Sequence, residues 1–302
     1  MKRVYIGSKL SPDAQKRIGA KLPAGCCDDH RLQRTEHGKV LLYEPVKTMI
    51  IEKRKLGSRH ILLRVEAHAD HDPGQFFQVT LLGFGEAPIS IASYSKEHID
   101  LVVNPVGSVT REVIRKRPGD YLLLRGPYGY GYPMHYLYNN GLVLIGGGCG
   151  VAPLKGVLDY VAAHRERYRD VKCFFGYRSP GDAIFSQEMA KWEKQGMFDF
   201  TVAYSQPPEG FKGKTGYLNP YIEQSGLDNH GRQALICGPT PMMLSAVQSL
   251  KRLGFNDDQI WVSHERHMQC ATGMCGHCMI EGKYSCKDGP VFRWDWIKDA
   301  KG

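Results

Sequence analysis

The sequence predicts a β + α/β protein: an N-terminal antiparallel β-barrel, then a doubly wound parallel sheet, and a small cysteine-rich segment at the C-terminus. Three observations predict this architecture. Six short β-like runs lie between Thr48 and Gly129, alternating strand and helix patterns follow Asn140, and four cysteines fall between Cys270 and Cys286. A chain of 302 residues has room for two domains of ordinary size with appendages.

Four units are predicted, bounded where the pattern changes. They are a basic N-terminal extension (1–46), the β-barrel (47–138), the α/β domain (139–263) and the cysteine-rich segment (264–302). Residues 1–60 hold 14 Lys and Arg against 6 Asp and Glu, which is +8 of the chain's net charge of +9. Such an arm can dock on an acidic partner or a membrane surface, or it can be plain solvated surface. No zinc-finger spacing or RNP-like sequence supports nucleic-acid binding.

The composition is that of a globular protein, with 42% hydrophobic and 24% charged residues. The best candidate for a membrane span, residues 141–163, is interrupted by a glycine cluster, Lys155 and Asp159, so no span is predicted. Because no apolar run follows the first basic residues, we expect no secretory signal and a cytoplasmic location. In that reducing compartment, nine cysteines indicate metal or redox chemistry rather than disulfides.

The barrel is predicted from short runs of apolar and β-branched residues with turn residues between them. The predicted strands are residues 48–56, 60–67, 75–82, 88–95, 99–106 and 120–129. Between the last two strands, Gly107, Ser108 and Thr110 precede a possible short helix and offer amide and hydroxyl donors for phosphates. Thr110 fits the role of a helix cap equally well.

Strand and helix patterns alternate after the barrel, in the order typical of a doubly wound sheet. The predicted strands are residues 141–148, 171–177, 198–205, 234–239 and 259–265, and the predicted helices are residues 152–168, 182–196 and 240–254. A glycine-rich loop at 146–150 ends the first strand, where a pyrophosphate could approach main-chain amides at a helix N-terminus. The spacing GGGxGxAP differs from GxGxxG, and a tight structural turn explains it as well.

Cys237 and Gly238 end another strand of this sheet, at the edge where α/β sheets bind ligands. Cys237 is therefore a candidate for a nicotinamide pocket, and the alternative is a small buried apolar residue. Cys149 and Cys173 are expected to be structural. Arg178, together with Ser179, could contact a ribose 2′-phosphate after the second strand, or Arg178 could be solvated.

The C-terminal cysteines have the spacing C-x4-C-x2-C-x7-C, and the four candidate metal ligands are Cys270, Cys275, Cys278 and Cys286. The first three positions match the plant-type [2Fe-2S] arrangement. Gly273 and Gly276 would let backbone amides approach the sulfur atoms. The alternatives are a zinc site, which His277 could join, and a set of unliganded cysteines. Structural zinc ordinarily uses two short-spaced pairs, which this spacing does not provide.

Seven motifs, in order, resemble the ferredoxin-NADP reductase superfamily over residues 48 to 293. They are PGQFFQV (73–79), EAPISIAS (86–93), GSVT (107–110), GPYGYGYP (126–133), GGGCGVAPL (146–154), ICGPTPMM (236–243) and the cysteine segment. The resemblance is to the branch that contains the dihydroorotate dehydrogenase electron-transfer subunit. The gamma subunits of soluble hydrogenases and the B subunit of anaerobic sulfite reductase are more similar still.

This resemblance implies an FAD-binding barrel, an NAD(P)-binding α/β domain and a [2Fe-2S] segment. It implies that the isoalloxazine is lined by Pro88, Ile89 and Ser90, and that the FAD phosphates are held by Gly107, Ser108 and Thr110. It places the nucleotide pyrophosphate at Gly147, Gly148, Gly150 and Val151, with the nicotinamide near Cys237 and Gly238. Ala87 stands where many members have an arginine, and we interpret it as a marker of the branch. No catalytic acid or base is assigned.

The implied activity is hydride transfer from NAD(P)H to FAD, with single electrons passing through the cluster to or from a partner enzyme. The implied partners are other subunits of a redox complex of hydrogenase, sulfite reductase or heterodisulfide reductase type. Two alternatives are a dihydroorotate dehydrogenase electron-transfer subunit and a structural relay that binds no nucleotide. The extension lies outside the resemblance, and its Cys26 and Cys27 are either cluster ligands at an interface or ordinary cysteines.

Overall fold

The computed structural model describes residues 44–67 and 69–299. The predicted basic extension lies outside the described residues up to position 43, together with Cys26 and Cys27. Within the described ranges, no helix has the length and apolar character needed to cross a membrane.

Six antiparallel strands build the first sheet. They are β1 (Val46–Leu56), β2 (His60–Val65), β3 (Phe76–Leu81), β4 (Gly85–Ser90), β5 (Ile99–Val103) and β6 (Tyr121–Tyr128). Their order is β4-β3-β6-β1-β2-β5, and an isolated antiparallel bridge between Ile91 and Leu101 joins the end of β4 to β5. The sheet therefore curls into a barrel. A short helix, α1 (Ser108–Val113), lies between β5 and β6 in the chain.

Side chains of the barrel strands alternate between its apolar interior and its outer face. Phe77, Val79 and Ile89 are buried in the barrel core. The alternate residues Gln78 and Pro88, which are paired across β3 and β4, face the other way. This outer face of β3 and β4 meets the C-terminal part of the chain, as described below.

A seven-stranded sheet forms the second half of the protein. Its strands are β7 (Gly141–Gly147), β8 (Val171–Tyr177), β9 (Asp199–Tyr204), β10 (Lys214–Thr215), β11 (Arg232–Cys237), β12 (Ile260–Ser263) and β15 (Val291–Arg293). Their order is β10-β9-β8-β7-β11-β12-β15, and all neighbours are parallel except β12 and β15. All seven residues of β7 are buried, as expected for a central strand that is covered on both faces.

Helices and short elements complete the fold. The α-helices of this half are α2 (Val151–Ala163), α3 (Ser186–Lys194), α4 (Asn219–Glu223) and α5 (Thr240–Arg252). The 3-10 helices are Gly148–Gly150, Arg165–Arg167, Pro180–Asp182, Asp257–Gln259 and Trp294–Trp296. A two-stranded hairpin, β13 (Met279–Ile280) and β14 (Lys283–Tyr284), lies within the cysteine segment.

The strand order of the parallel sheet reverses between β7 and β11. Doubly wound sheets bind ligands at such a switch point, outside the carboxyl ends of the strands. Because β7 ends at Gly147 and β11 ends at Cys237, both predicted loops lie at this position.

The predicted fold class is confirmed, and the predicted strands and helices overlap the observed ones. Four short strands and one short helix were not predicted: β10, β13 and β14 with two residues each, β15 with three and α4 with five. They are too short to show a hydrophobic period. β15 pairs antiparallel with β12, so the chain returns to the edge of the parallel sheet after the last cysteine.

Candidate functional site

The two glycine-containing loops at the switch point are in direct contact. Gly146 pairs with Cys237 across β7 and β11. A Cβ atom on Gly150 would lie 2.5 Å from the carbonyl oxygen of Cys237 and 2.6 Å from Cα of Gly238. No side chain fits there, so glycine at position 150 is required for this close approach of the two backbones. The structure therefore brings the two predicted nucleotide loops into one site.

The glycine-rich loop at residues 146–150 presents main-chain groups, rather than side chains, to a ligand. Gly147 is buried, Gly148 has φ of +56°, and Val151 begins α2 with its side chain 1% exposed in the core. The N-terminus of this 13-residue helix follows the loop immediately. Amide N–H groups at such a helix start favour an anion, which fits the predicted role in pyrophosphate binding.

Cys237 is a neutral thiol in this site. It is 3% exposed, and burial raises its pKa well above the ordinary value, helped by the nearby Glu265 carboxyl and opposed by a hydrogen bond with Ser263. A thiol held neutral is a poor nucleophile, so Cys237 can line a pocket but is not set up for covalent catalysis. Cys173 is buried in the core as predicted, whereas Cys149, also predicted to be structural, is exposed in the glycine loop.

Glu265, which the sequence reading overlooked, joins the barrel to this switch point. The Ser90 hydroxyl donates a 2.9 Å hydrogen bond to Oε1 of Glu265, which follows the end of β12 by two residues. Glu265 is exposed, and desolvation of its carboxyl group raises its pKa, which the hydrogen bond from Ser90 opposes. One signal was available: Glu265 follows a parallel strand at the same carboxyl edge as the two loops.

The predicted flavin-facing residues lie on and beside β4. Pro88 and Ser90 are partly exposed, while Ile89 is 9% exposed and packs in the barrel core. Ile89 can therefore meet a ligand only through its main chain. The structure places Ser90 directly against the nucleotide half of the protein, through its contact with Glu265.

The predicted phosphate residues 107–110 lie at the start of α1. The Gly107 amide donates a 2.9 Å hydrogen bond to Oγ1 of Thr110, whose hydroxyl lies 3.2 Å from the Gly107 carbonyl oxygen. Thr110 is buried, and as the third residue of α1 it satisfies the amide of the N-cap residue Gly107, so its hydroxyl serves the helix start, which is the alternative that the sequence left open. Ser108 is exposed, so its hydroxyl, unlike that of Thr110, is accessible to a ligand from solvent.

The positive charge of Arg125, which lies close to Ala87, is already paired with a carboxylate. Arg125 donates to both carboxylate oxygens of Glu86, at 2.9 and 2.5 Å, and to the Tyr128 hydroxyl at 3.0 Å. These hydrogen bonds lower the pKa of Glu86, so the pair is fully charged. Arg125 therefore does not replace the positive charge that many members of the superfamily carry at position 87.

The predicted 2′-phosphate residues follow β8. Nε of Arg178 donates to Oε1 of Gln206 at 2.7 Å, and the Ser179 hydroxyl donates to Oδ2 of Asp182 at 2.8 Å. Hydrogen bonds from the Ser58 and Ser179 hydroxyls lower the pKa of Asp182, so a negative charge lies beside Ser179.

The four predicted cluster cysteines lie together at the C-terminal segment. Sγ atoms of Cys278 and Cys286 are 3.2 Å apart, and these residues are 2% and 1% exposed. Burial and the neighbouring Cys278 thiol raise the pKa of Cys286. Cys270 is partly exposed and Cys275 is exposed, so one pair of thiols is buried and the other faces outward.

Backbone amides surround the thiols as the glycine-bearing loop predicts. Sγ of Cys270 accepts the amides of Thr272, Met274 and Cys275 at 3.3 to 3.4 Å. Partial burial opposes ionisation, but these hydrogen bonds outweigh it and lower the pKa of Cys270 to about 6. Sγ of Cys286 accepts the amide of Gly273 at 3.2 Å. Such donors stabilise the negative charge of a thiolate-bound cluster.

The chemistry of this donor set fits an iron–sulfur cluster, because four cysteine sulfur atoms lie in one segment and main-chain amides donate to two of them. Across residues 44–67 and 69–299, no three His, Cys, Asp or Glu side chains are grouped so that they could hold a single metal ion. His267 and His277 are both exposed.

The cluster loop packs on the outer face of the barrel. Phe76 and Tyr128 form one apolar cluster with Met268, Cys278 and Cys286. Nε2 of Gln78 also donates to the Gln269 carbonyl at 2.8 Å. Because Gln78 pairs with Pro88, the cluster loop lies one strand away from the predicted flavin motif. The three predicted sites therefore converge on one face of the barrel.

Comparison with known proteins agrees with this arrangement. Two family models match: an oxidoreductase NAD-binding domain over residues 144–248, and the iron-sulfur cluster binding domain of dihydroorotate dehydrogenase B over residues 265–298. The gamma subunit of sulfhydrogenase 2 from Pyrococcus furiosus is 35% identical, over 84% of this chain and 96% of the relative. The chain belongs to the ferredoxin-NADP reductase superfamily. Within this superfamily it is an electron-transfer oxidoreductase subunit with an NAD-binding and an iron–sulfur domain, as predicted.

Other members of the superfamily support the same placement. A probable electron-transfer subunit of dihydroorotate dehydrogenase B from Thermococcus kodakarensis is 30% identical, over 76% of this chain and 88% of the relative. A solved NADH-dependent reduced ferredoxin-NADP oxidoreductase is 26% identical with a TM-score of 0.68, covering 83% of this chain and 91% of that one. A ferredoxin NADP+ reductase from Neisseria gonorrhoeae, 19% identical with a TM-score of 0.61, shares the fold over 72% of this chain and 98% of that one.

Proposed function

We propose that the chain exchanges electrons between NAD(P)H, FAD and a [2Fe-2S] cluster, and relays them to or from a partner oxidoreductase. The proposed units are an FAD-binding barrel (47–138), an NAD(P)-binding domain (139–263) and a cluster segment (264–302). The chemistry that a bound flavin supplies is the conversion of a two-electron hydride transfer into single-electron steps.

The observation that carries this proposal is the double contact made by the outer face of β3 and β4. Ser90 on this face bonds Glu265 at the nucleotide site, and Gln78 on this face bonds Gln269 in the cluster loop. A cofactor held against β4 would therefore lie between the nucleotide site and the cluster. That arrangement is what a two-step electron relay needs.

The proposed roles follow from these positions. Pro88, the main chain of Ile89, and Ser90 orient the flavin ring. Gly107 and Ser108 hold the FAD phosphates, and Thr110 holds their loop by capping α1. The pyrophosphate of the nucleotide meets the amides of Gly147, Gly148, Gly150 and Val151, and Cys237 with Gly238 lies beside the nicotinamide. The cluster ligands are Cys270, Cys275, Cys278 and Cys286.

The outward pair of cluster thiols is proposed as the side that faces the partner. Cys275 is exposed, and the neighbouring Met274 is 71% exposed. The relatives named above belong to sulfhydrogenase and to dihydroorotate dehydrogenase B, so a subunit of a redox complex is the expected partner. We favour the hydrogenase type, because the sulfhydrogenase subunit matches at higher identity and over more of the chain. Sulfite reductase and heterodisulfide reductase partners remain predictions from sequence.

Anaerobic titration of the full chain tests the proposal. NADH and NADPH are added separately while flavin absorbance and the electron paramagnetic resonance signal of a reduced cluster are recorded. We expect bleaching of the flavin together with a [2Fe-2S] signal. A chain that dithionite reduces but neither nucleotide does would instead support the structural relay, and a colourless zinc protein would contradict the proposal altogether.

A further inference from the structure

A group of charged side chains, two of them buried, lies between the barrel and helix α2, apart from the sites described above. It contains Arg64 of β2, Asp100 of β5, and Lys155 with Asp159 of α2. Asp100 is fully buried and Lys155 is 8% exposed. Charged groups at such depth are costly unless they are paired, so their arrangement requires an explanation beyond packing.

On the barrel side, Asp100 is held rigidly. Arg64 donates from Nε and Nη2 to the two carboxylate oxygens, at 2.7 and 3.0 Å. The Asp100 amide donates to Oγ of Ser93 at 2.9 Å, and the Asp100 carbonyl accepts the Ala92 amide at 2.9 Å. Asp100 therefore fixes the chain that leaves the predicted flavin motif.

On the helix side, Lys155 connects two carboxylates. Its Nζ lies 2.7 Å from Oδ2 of Asp159, one turn along α2, and 3.5 Å from Oδ2 of Asp100. Oδ2 of Asp159 also accepts the amide of Tyr94 at 3.3 Å. Both ends of the network thus reach the short stretch that follows Ser90.

The network links the two parts of the protein that would have to meet in the reaction. Lys155 lies one turn into α2, which begins directly after the glycine loop at the switch point. Ser93 and Tyr94 follow Ser90 by only three and four residues. The backbones are close as well, since a Cβ on Gly156 would lie 3.4 Å from the carbonyl oxygens of Ile91 and Ser93.

We propose that Lys155 is a positioning residue, which locks the helix behind the nucleotide loop onto the segment behind the flavin motif. The inference rests on the proposed function for its kinetic consequence, but not for its structural one. Apolar residues would fill the same space without the cost of burying the charges of Asp100 and Lys155. A charged network also fixes the position of α2 along the barrel. Lys155 can pair with Asp100 and Asp159 together only when the helix lies in one register on the barrel.

The first test is Lys155→Met in the full chain with its cofactors. We expect flavin reduction by NADH or NADPH in a single turnover to slow about 10- to 100-fold, since small misplacements of reacting groups have effects of this size. Reduction by dithionite should keep its wild-type rate. Hydrogen exchange should accelerate at the amide of Tyr94 and in the first turns of α2.

Two further variants keep the inference testable. Lys155→Arg should recover most of the rate, because it restores the charge, and Lys251→Met is the control, because Lys251 makes an exposed pair with Asp257. If Lys155→Met does not fold, Asp159→Asn should still accelerate exchange at Tyr94 and slow flavin reduction several-fold. Wild-type exchange and wild-type flavin reduction in Lys155→Met or Asp159→Asn would overturn the inference. The exchange measurement stands even if neither nucleotide reduces the wild-type flavin.

Discussion

Single residues at the switch point are in environments that shift their protonation, and Glu265 shows the consequence most directly. Desolvation raises the pKa of its carboxyl group, and the hydrogen bond from Ser90 only partly opposes this. In the unfolded chain a glutamate titrates near its reference pKa of about 4.3. The fold therefore holds a proton on Glu265 that the unfolded chain has lost, and stability falls as pH rises from the unfolded pKa through the raised one.

The variant Glu265→Gln removes this titration. We expect its melting temperature, relative to the wild type, to rise as pH is increased from about 4 to about 8. Thermal unfolding of both proteins across this range, with the flavin bound, is the measurement. Ser90→Ala should enlarge the pH dependence seen in the wild type, since it keeps the carboxyl group but removes the hydrogen bond that lowers its pKa. A difference in melting temperature that does not change with pH would contradict the raised pKa.

The charge of Asp182 predicts which nucleotide, NADH or NADPH, the protein prefers. Its charged carboxylate beside Ser179 would repel a ribose 2′-phosphate, so we expect the wild type to prefer NADH. Asp182→Asn should increase kcat/KM for NADPH relative to NADH by about fivefold, because exposed charges interact by up to about 1 kcal/mol. Asp170→Asn, before the start of β8, should leave the ratio unchanged. An unchanged ratio in Asp182→Asn would place the 2′-phosphate elsewhere.

At the scale of elements, the contact between the loops after β7 and β11 depends on the absence of a side chain. Gly150→Ala introduces a Cβ 2.5 Å from the Cys237 carbonyl oxygen, and we expect a loss of about 2 to 3 kcal/mol in the free energy of unfolding together with weaker nucleotide binding. Gly148→Ala meets no atom within 4 Å but has φ of +56°, so it should lose only about 1 kcal/mol. Chemical denaturation and nucleotide titration separate the two. Equal losses would show that backbone conformation, rather than contact, governs this loop.

The strands and helices differ in how well the sequence predicts them. The barrel and sheet strands could be predicted because short apolar and β-branched runs alternate with turn residues, and the cysteine site could be predicted because metal ligation restricts the spacing. The pairing of β15 with β12 is not readable, since three residues carry no period. Nor is the contact of Ser90 with Glu265, which joins residues 175 positions apart and arises only when the two sheets meet.

For the whole molecule, the cysteine segment is held at both ends. The His264 amide donates to the Pro290 carbonyl at 2.8 Å, and the Tyr130 amide donates to the Gly289 carbonyl at 2.5 Å. Gln78 fastens the middle of the segment to the barrel. A change at the cluster should therefore be transmitted to both sheets.

Cys286→Ser tests this coupling. We expect loss of most of the bound iron and a lower melting temperature for the entire chain, because metal binding to the folded state stabilises it. Iron content, visible absorption and thermal unfolding report the result. Cys149→Ser, a change at an exposed thiol outside the segment, should leave iron content unchanged. Full iron occupancy in Cys286→Ser would remove Cys286 from the ligand set.

The shortness of the edge strands affects how readily an unassembled copy of the protein aggregates in the cell. Exposed edge strands carry unpaired N–H and C=O groups, so they can pair with strands of other chains and start aggregation. Among the described residues, the parallel sheet ends in β10 and β15, with two and three residues, and the barrel margins meet at the Ile91–Leu101 bridge. A newly made copy therefore offers little template for adding a foreign strand while it waits for its partner, and recognition is left to side chains.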